Sequence, residues 1–146
     1  VMALFIGDFP HTLDDKGRLI MPSKFRNELG SNFVVTRGLE GCLFVFTEKK
    51  WTEFTEQLNS KGFSKKDVRS ITRFFCSCAM NADLDKQGRF LVNKNLREFA
   101  EIERDVMIIG VSDRIEIWSK EKWDEYSESE YSDDTIMSER FDGLDF

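Results

Sequence analysis

Two short stretches of this chain set an aspartate and an arginine four residues apart around a glycine. Asp14-Asp15-Lys16-Gly17-Arg18 recurs as Asp85-Lys86-Gln87-Gly88-Arg89, and each is followed by three apolar residues. The displacement is 89 − 18 = 71 residues. A glycine late in the loop tolerates the positive φ that a tight hairpin needs. Each stretch therefore reads as a β-hairpin with its Asp and Arg facing across the turn. Two kinds of chemistry fit. One is an ion pair that pins the hairpin, and exposed pairs of that kind contribute only ~0–1 kcal/mol. The other uses Asp14 and Asp85 to orient Arg18 and Arg89 as guanidinium forks, able to read guanine O6 and N7 in the major groove of double-stranded DNA. Lys16 and Lys86 at the loop tips suit phosphate. Arg26 and Arg97 each follow their hairpin arginine by eight residues and would extend the basic face.

Other chemistry has little support in the residues. The single histidine, His11, has no Cys or Ser partner near it in sequence. Cys76-Ser77-Cys78, Cys42 and His11 lack the paired spacing of a metal site. They read as structural thiols and a packed or half-exposed imidazole. The nine glycines form neither GxGxxG nor GxxxxGK[ST], so no nucleotide-binding loop is expected. No enzyme activity, cofactor, metal or small-molecule substrate is expected.

The duplication extends to the elements that must hold the hairpins. Leu43–Trp51 matches Ile115–Trp123 at a displacement of 115 − 43 = 72. Each copy reads strand, turn, strand, short helix, strand, strand, helix. In the first copy His11 to Asp14 is extended and Arg18 to Met21 is the return strand. Ser23 is the expected N-cap of a helix stopped by Gly30. Phe33 to Thr36 and Leu43 to Phe46 are strands, and a helix with Trp51, Phe54 and Leu58 on one face follows. The second copy gives a helix over Lys94 to Ala100 and strands over Val106 to Ile109 and Ile115 to Trp118. A linker helix spans roughly Ser64 to Phe75, opened by a capping box at Ser64-Lys65-Lys66-Asp67. The expected organisation is a first repeat over 5–51, a helical linker over 52–80, a second repeat over 81–126 and an acidic C-terminal tail over 127–146. The fold class is β-rich α+β. A hairpin cannot bury its own face, so the copies must complete each other's sheet or that of another subunit.

The 146 residues are 40% hydrophobic and 33% charged, enough for a packed core and not a disordered chain. No apolar run approaches ~20 residues, so no membrane helix is expected. Val1 to Gly7 lacks the basic region of a signal peptide, and three cysteines are too few for a disulfide scaffold. A cytoplasmic protein with no membrane partner is expected. The net charge is −6, but the acidity is local. Residues 119–146 carry ten acids and three bases, −7, and the other 118 carry 18 bases and 17 acids, +1. The body is neutral and can carry a basic face. The tail is either a solvated end or an arm for a basic partner.

Asp14 to Arg26, Val35 to Phe44, Leu84 to Arg89 and Ile109 to Trp118 together resemble, in order, the signature blocks of the MraZ family of bacterial transcriptional regulators. The resemblance covers about Phe5 to Tyr126. It implies two AbrB-like swapped-hairpin halves forming a double-split β-barrel capped by helices. It also implies self-association into an octamer-like ring, nucleoid association, and repression of the division and cell wall gene cluster through G-rich direct repeats. The D-x-x-x-R motifs, here Asp14/Arg18 and Asp85/Arg89, would face the DNA. The alternative is a ring-forming structural or antitoxin-like protein-interaction module. Asn93 stands where the family usually has Pro, so the second short helix is expected to start differently.

Overall fold

The computed structural model describes residues 4–145. Its elements run β1 (Phe5–Thr12), β2 (Arg18–Ile20), α1 (Ser23–Leu29), β3 (Asn32–Arg37), β4 (Leu43–Thr47), α2 (Glu48–Ser60) and α3 (Lys66–Cys76). The second half continues with β5 (Met80–Asp83), β6 (Arg89–Leu91), α4 (Lys94–Phe99), β7 (Asp105–Ser112), β8 (Arg114–Ser119), α5 (Lys120–Tyr131) and α6 (Asp134–Gly143).

Six strands form one antiparallel sheet in the order β1-β7-β8-β4-β3-β5, and β2 pairs with β6 in a separate two-stranded ladder. The pairing crosses the repeat. β1 of the first half lies on β7 of the second, β5 of the second lies on β3 of the first, and β4 meets β8 at the centre. The halves thus complete one another's sheet.

The central strands are largely apolar because both their faces are covered. In β4, Leu43 and Val45 face one core, while Phe44 and Phe46 face another. The first core lies under α1, α4 and the β2–β6 ladder, and includes Phe5, Leu19, Phe25, Phe33, Phe90 and Leu96. The Phe33 and Phe90 rings meet edge to face at 5.4 Å, which ties β3 to the ladder. The second core lies under α2, α3 and α5 and is aromatic, with Phe44, Phe46, Phe75 and Trp118 buried and Trp51, Phe54, Trp123 and Tyr126 packed on them. One acid interrupts the central run. Glu116 is buried in β8, where it accepts from Arg114 Nε and Nη2 at 3.0 and 2.8 Å and from Trp118 Nε1 at 2.9 Å. Those donors compensate its loss of water.

Several expectations are corrected. A closed barrel does not form among the described residues. β1 and β5 are open edges, and the ladder is too short to join them, because each of its three-residue strands turns at once into α1 or α4. β1 begins at Phe5 rather than His11 and runs eight residues. Gly7 and Pro10 disguise it in the sequence, yet an edge strand accommodates proline. Ser23 is the first residue of α1, not its cap. Pro22 holds the cap position with no side-chain bond. The capping box at Ser64 is also absent, because α3 begins after Lys65. The far end of α3 is held instead: buried Thr36 Oγ1 donates to Phe75 O at 2.5 Å, and Arg37 Nε donates to Phe74 O at 3.0 Å. These bonds occupy carbonyls that a helix end leaves open. The described part of the acidic tail is helical, comprising the end of α5 and α6, joined by an Arg140–Glu130 ion pair.

Candidate nucleic-acid interface

Neither expected β-hairpin forms as a paired ladder, because β1 pairs with β7, β5 with β3, and β2 with β6, so the strands flanking each turn part from one another. Each tight turn is still built by its own aspartate. The Asp14 carboxylate accepts from the main-chain N–H groups of Lys16 and Arg18, both at 2.9 Å, and from Arg18 Nε at 2.8 Å. Asp85 accepts from Gln87 N, Arg89 N and Arg89 Nε at 2.9, 2.9 and 2.8 Å. Three donors on one carboxylate favour its charged form. The amides of Arg18 and Arg89 are the main reason that Asp14 and Asp85 titrate below the usual carboxylate range. The Asp–Arg bond pins each turn and holds the arginine by its Nε in both halves. In the second, Arg89 Nη2 also donates to Gln87 Oε1.

The two turns adjoin. In the β2–β6 ladder Arg18 lies opposite Leu91 and Ile20 opposite Arg89. The ladder continues at both ends, where Met21 N–H donates to Gly88 O and Val92 N–H to Gly17 O, each at 2.9 Å. Arg26 and Arg97 then cross over to the other half's turn. Arg26 Nε donates to Met21 O at 2.8 Å and Arg97 Nε to Val92 O at 3.0 Å. Arg97 lies so close over Gly17 that an added Cβ there would sit 3.2 Å from its guanidinium carbon, and Arg26 crowds Gly88 more tightly still. Both glycines have positive φ, +79° and +77°, which favours glycine, and any side chain there would also have to displace the arginine above it.

All four arginines therefore converge on one two-stranded ladder. Lys16 and Lys86 are exposed at the turn tips, without an ion-pair partner among the described residues. They are not equivalent in the repeat. Gln87, not Lys86, occupies the Lys16 place, and its Oε1 accepts from Arg89 Nη2 at 2.7 Å. Sequence reasoning passed over Gln87, although the repeat alignment marks it as the odd residue. The second fork is thereby held at one more point than the first. Asn93 resolves the expected departure at α4: its side chain accepts from Leu96 N–H at 2.9 Å and caps the helix, where Pro22 opens α1 without such a bond. His11 on β1 titrates below its ordinary value, first through burial and then through the nearby Arg26 charge. Among the described residues no group of three or more His, Cys, Asp or Glu could hold a metal, and no helix is long and apolar enough to cross a membrane.

The fold and the site define a class: a duplicated α+β protein whose halves jointly present a two-stranded basic ladder. The family model described as "MraZ protein, putative antitoxin-like" matches residues 4–74 and again 75–143, once per half, and the chain belongs to the MraZ family. It is 52% identical over 126 residues to the transcriptional regulator MraZ of Caldanaerobacter subterraneus subsp. tengcongensis, covering 86% of this chain and 88% of that one. It is 48% identical over 141 residues to the transcriptional regulator MraZ of Thermoanaerobacter sp. (strain X514), covering 97% and 99%. The relative of the same name in Natranaerobius thermophilus is 49% identical over 140 residues, covering 95% and 98%.

Proposed function

We propose that the chain is a DNA-binding transcriptional regulator that reads duplex DNA through the β2–β6 ladder. One observation carries this reading: Arg18, Arg89, Arg26 and Arg97, from four places in the sequence, meet on one two-stranded ribbon. A two-stranded β-ribbon fits the major groove, and an arginine fork matches guanine O6 and N7. Arg18 and Arg89 are the base readers, with Asp14 and Asp85 as positioning residues. Lys16, Lys86, Arg26 and Arg97 act on the phosphate backbone, which fixes register without reading sequence.

The finer reading follows the family. The target is G-rich direct repeats upstream of the division and cell wall gene cluster, the effect is repression, and the chain works on the nucleoid in the cytoplasm as an octamer-like ring of swapped-hairpin subunits. A ring would multiply a modest basic patch by avidity. The organisation into two repeats, linker and acidic tail serves the same reading.

The test is fluorescence anisotropy of wild type, Arg18→Ala and Arg89→Ala on a duplex of the G-rich direct repeats upstream of the protein's own gene, across a salt series. Loss of a guanine fork costs ~1–3 kcal/mol per engaged site and relaxes specificity there. Equal wild-type affinity for a scrambled duplex at moderate salt refutes the reading. A protein-interaction module then becomes the better account, its acidic tail the first segment to delete.

A further inference from the structure

The ladder that carries the arginines also carries two exposed aliphatic side chains. Alternation in a strand sends successive side chains to opposite faces. Leu19 and Phe90 point inward and are buried, while Arg18, Ile20, Arg89 and Leu91 share the outer face. Ile20 and Leu91 are 43% and 49% exposed there. An outer face serving only solubility would carry polar groups at these positions. Single exposed aliphatics need no explanation. These two are related by the repeat, since 91 − 20 = 71, and stand on a diagonal of one ladder, roughly 7–8 Å apart. Each is directly across from a fork: Ile20 from Arg89 and Leu91 from Arg18. The adjoining turns and helices add Lys16, Lys86, Arg26 and Arg97 against Asp14, Asp15 and Asp85, so with Arg18 and Arg89 the border is net positive.

An apolar centre inside a cationic rim selects its occupant. A lipid or protein surface would not call for two guanidinium forks beside each aliphatic group. The DNA major groove presents guanine acceptors and, as its apolar feature, the C5-methyl of thymine. We infer that Ile20 and Leu91 are specificity-determining residues that contact thymine methyl groups next to the bases read by Arg89 and Arg18. The inference rests on the DNA-binding reading and adds a second base to what each half recognises.

Uracil in place of thymine removes the methyl and keeps the Watson–Crick edge. The stretch upstream of the protein's own gene is copied twice, once with thymine and once with deoxyuridine throughout. Both duplexes are titrated with wild type and with the Ile20→Ala/Leu91→Ala variant. Wild type should bind the uracil duplex more weakly, by about three- to five-fold per engaged methyl. The variant should bind both duplexes alike, near the wild-type level on uracil. Both side chains are exposed, so the variant should keep the wild-type thermal transition. The wild-type comparison of the two duplexes needs no variant at all. Equal wild-type affinity for thymine and uracil duplexes, with preference over scrambled DNA retained, overturns the inference and leaves the DNA-binding reading standing. No preference over scrambled DNA overturns that reading itself. A variant that keeps the wild-type thymine-to-uracil ratio assigns the effect to DNA stiffness and overturns the inference. So does a variant that changes only the sedimentation mass, because the patch is then covered by a second copy of the chain.

Discussion

Asp14 and Asp85 each spend one carboxylate on two main-chain N–H groups and a guanidinium. Their folded pKa values lie below the ordinary 3.8. Such groups stabilise the fold fully above the unfolded value and lose that contribution as pH falls through the folded one. The forks therefore stay set from neutral pH down to the ordinary carboxylate range. His11 behaves oppositely to a paired histidine. Its folded pKa is lowered from 6.5, by burial first and Arg26 second. As pH drops below about 6.5 the unfolded chain takes the proton first, so stability declines from there toward the folded value. Urea midpoints measured at about pH 7.5 and 5.5 should differ for wild type, with the lower midpoint in acid. The difference should shrink in His11→Gln, and an undiminished difference would contradict this assignment.

At the scale of elements, the two short helices next to the forks are held differently. Asn93 caps α4 through its side chain, while α1 starts at Pro22 and Ser23 makes no cap bond. Asn93→Ala should cost ~1 kcal/mol of stability, whereas Ser23→Ala should stay within about 0.5 kcal/mol. Urea denaturation of both variants checks the pair, and equal losses would mean that Ser23 caps after all. Thr47 and Ser119, at matching places in the two copies, cap α2 and α5 by accepting from Lys50 and Lys122 N–H. Neither is singled out as a cap in the sequence, so helix starts were only partly legible there. They were misread where two residues compete for one role, as at Pro22-Ser23 and Ser64-Lys65. β1 is hard to see in sequence because Gly7 and Pro10 mark local breaks, while their cost in an edge strand depends on which side faces solvent.

At the scale of the whole molecule, each half keeps one internal strand pair, β3–β4 or β7–β8, and completes its sheet only with strands of the other. β1 has its partner in β7, β5 in β3, and β2 in β6, each across the repeat. Residues 4–76 and 77–145 expressed separately should lack a cooperative thermal transition, and mixing them should restore it. Circular dichroism on the fragments and their mixture decides this, and a cooperative transition in either fragment alone would refute it. The exchange also explains why the basic face is single, since pairing β2 with β6 is what brings the two turns together.

The sequence by itself determined the duplication, the two tight turns with their Asp–Arg pairs, the arginines that follow them and most of the helices. All of these rest on interactions within a few residues, where turn glycines, caps and hydrophobic period act. Only the tertiary structure decided which strand lies beside which. A period of two fixes the face of a side chain, not the partner of its strand. It alone placed Arg26 over Gly88 and Arg97 over Gly17, and it alone left Ile20 and Leu91 in solvent. A three-residue strand is too short for its alternation to tell inside from outside until Phe33 and its neighbours fill the inner face.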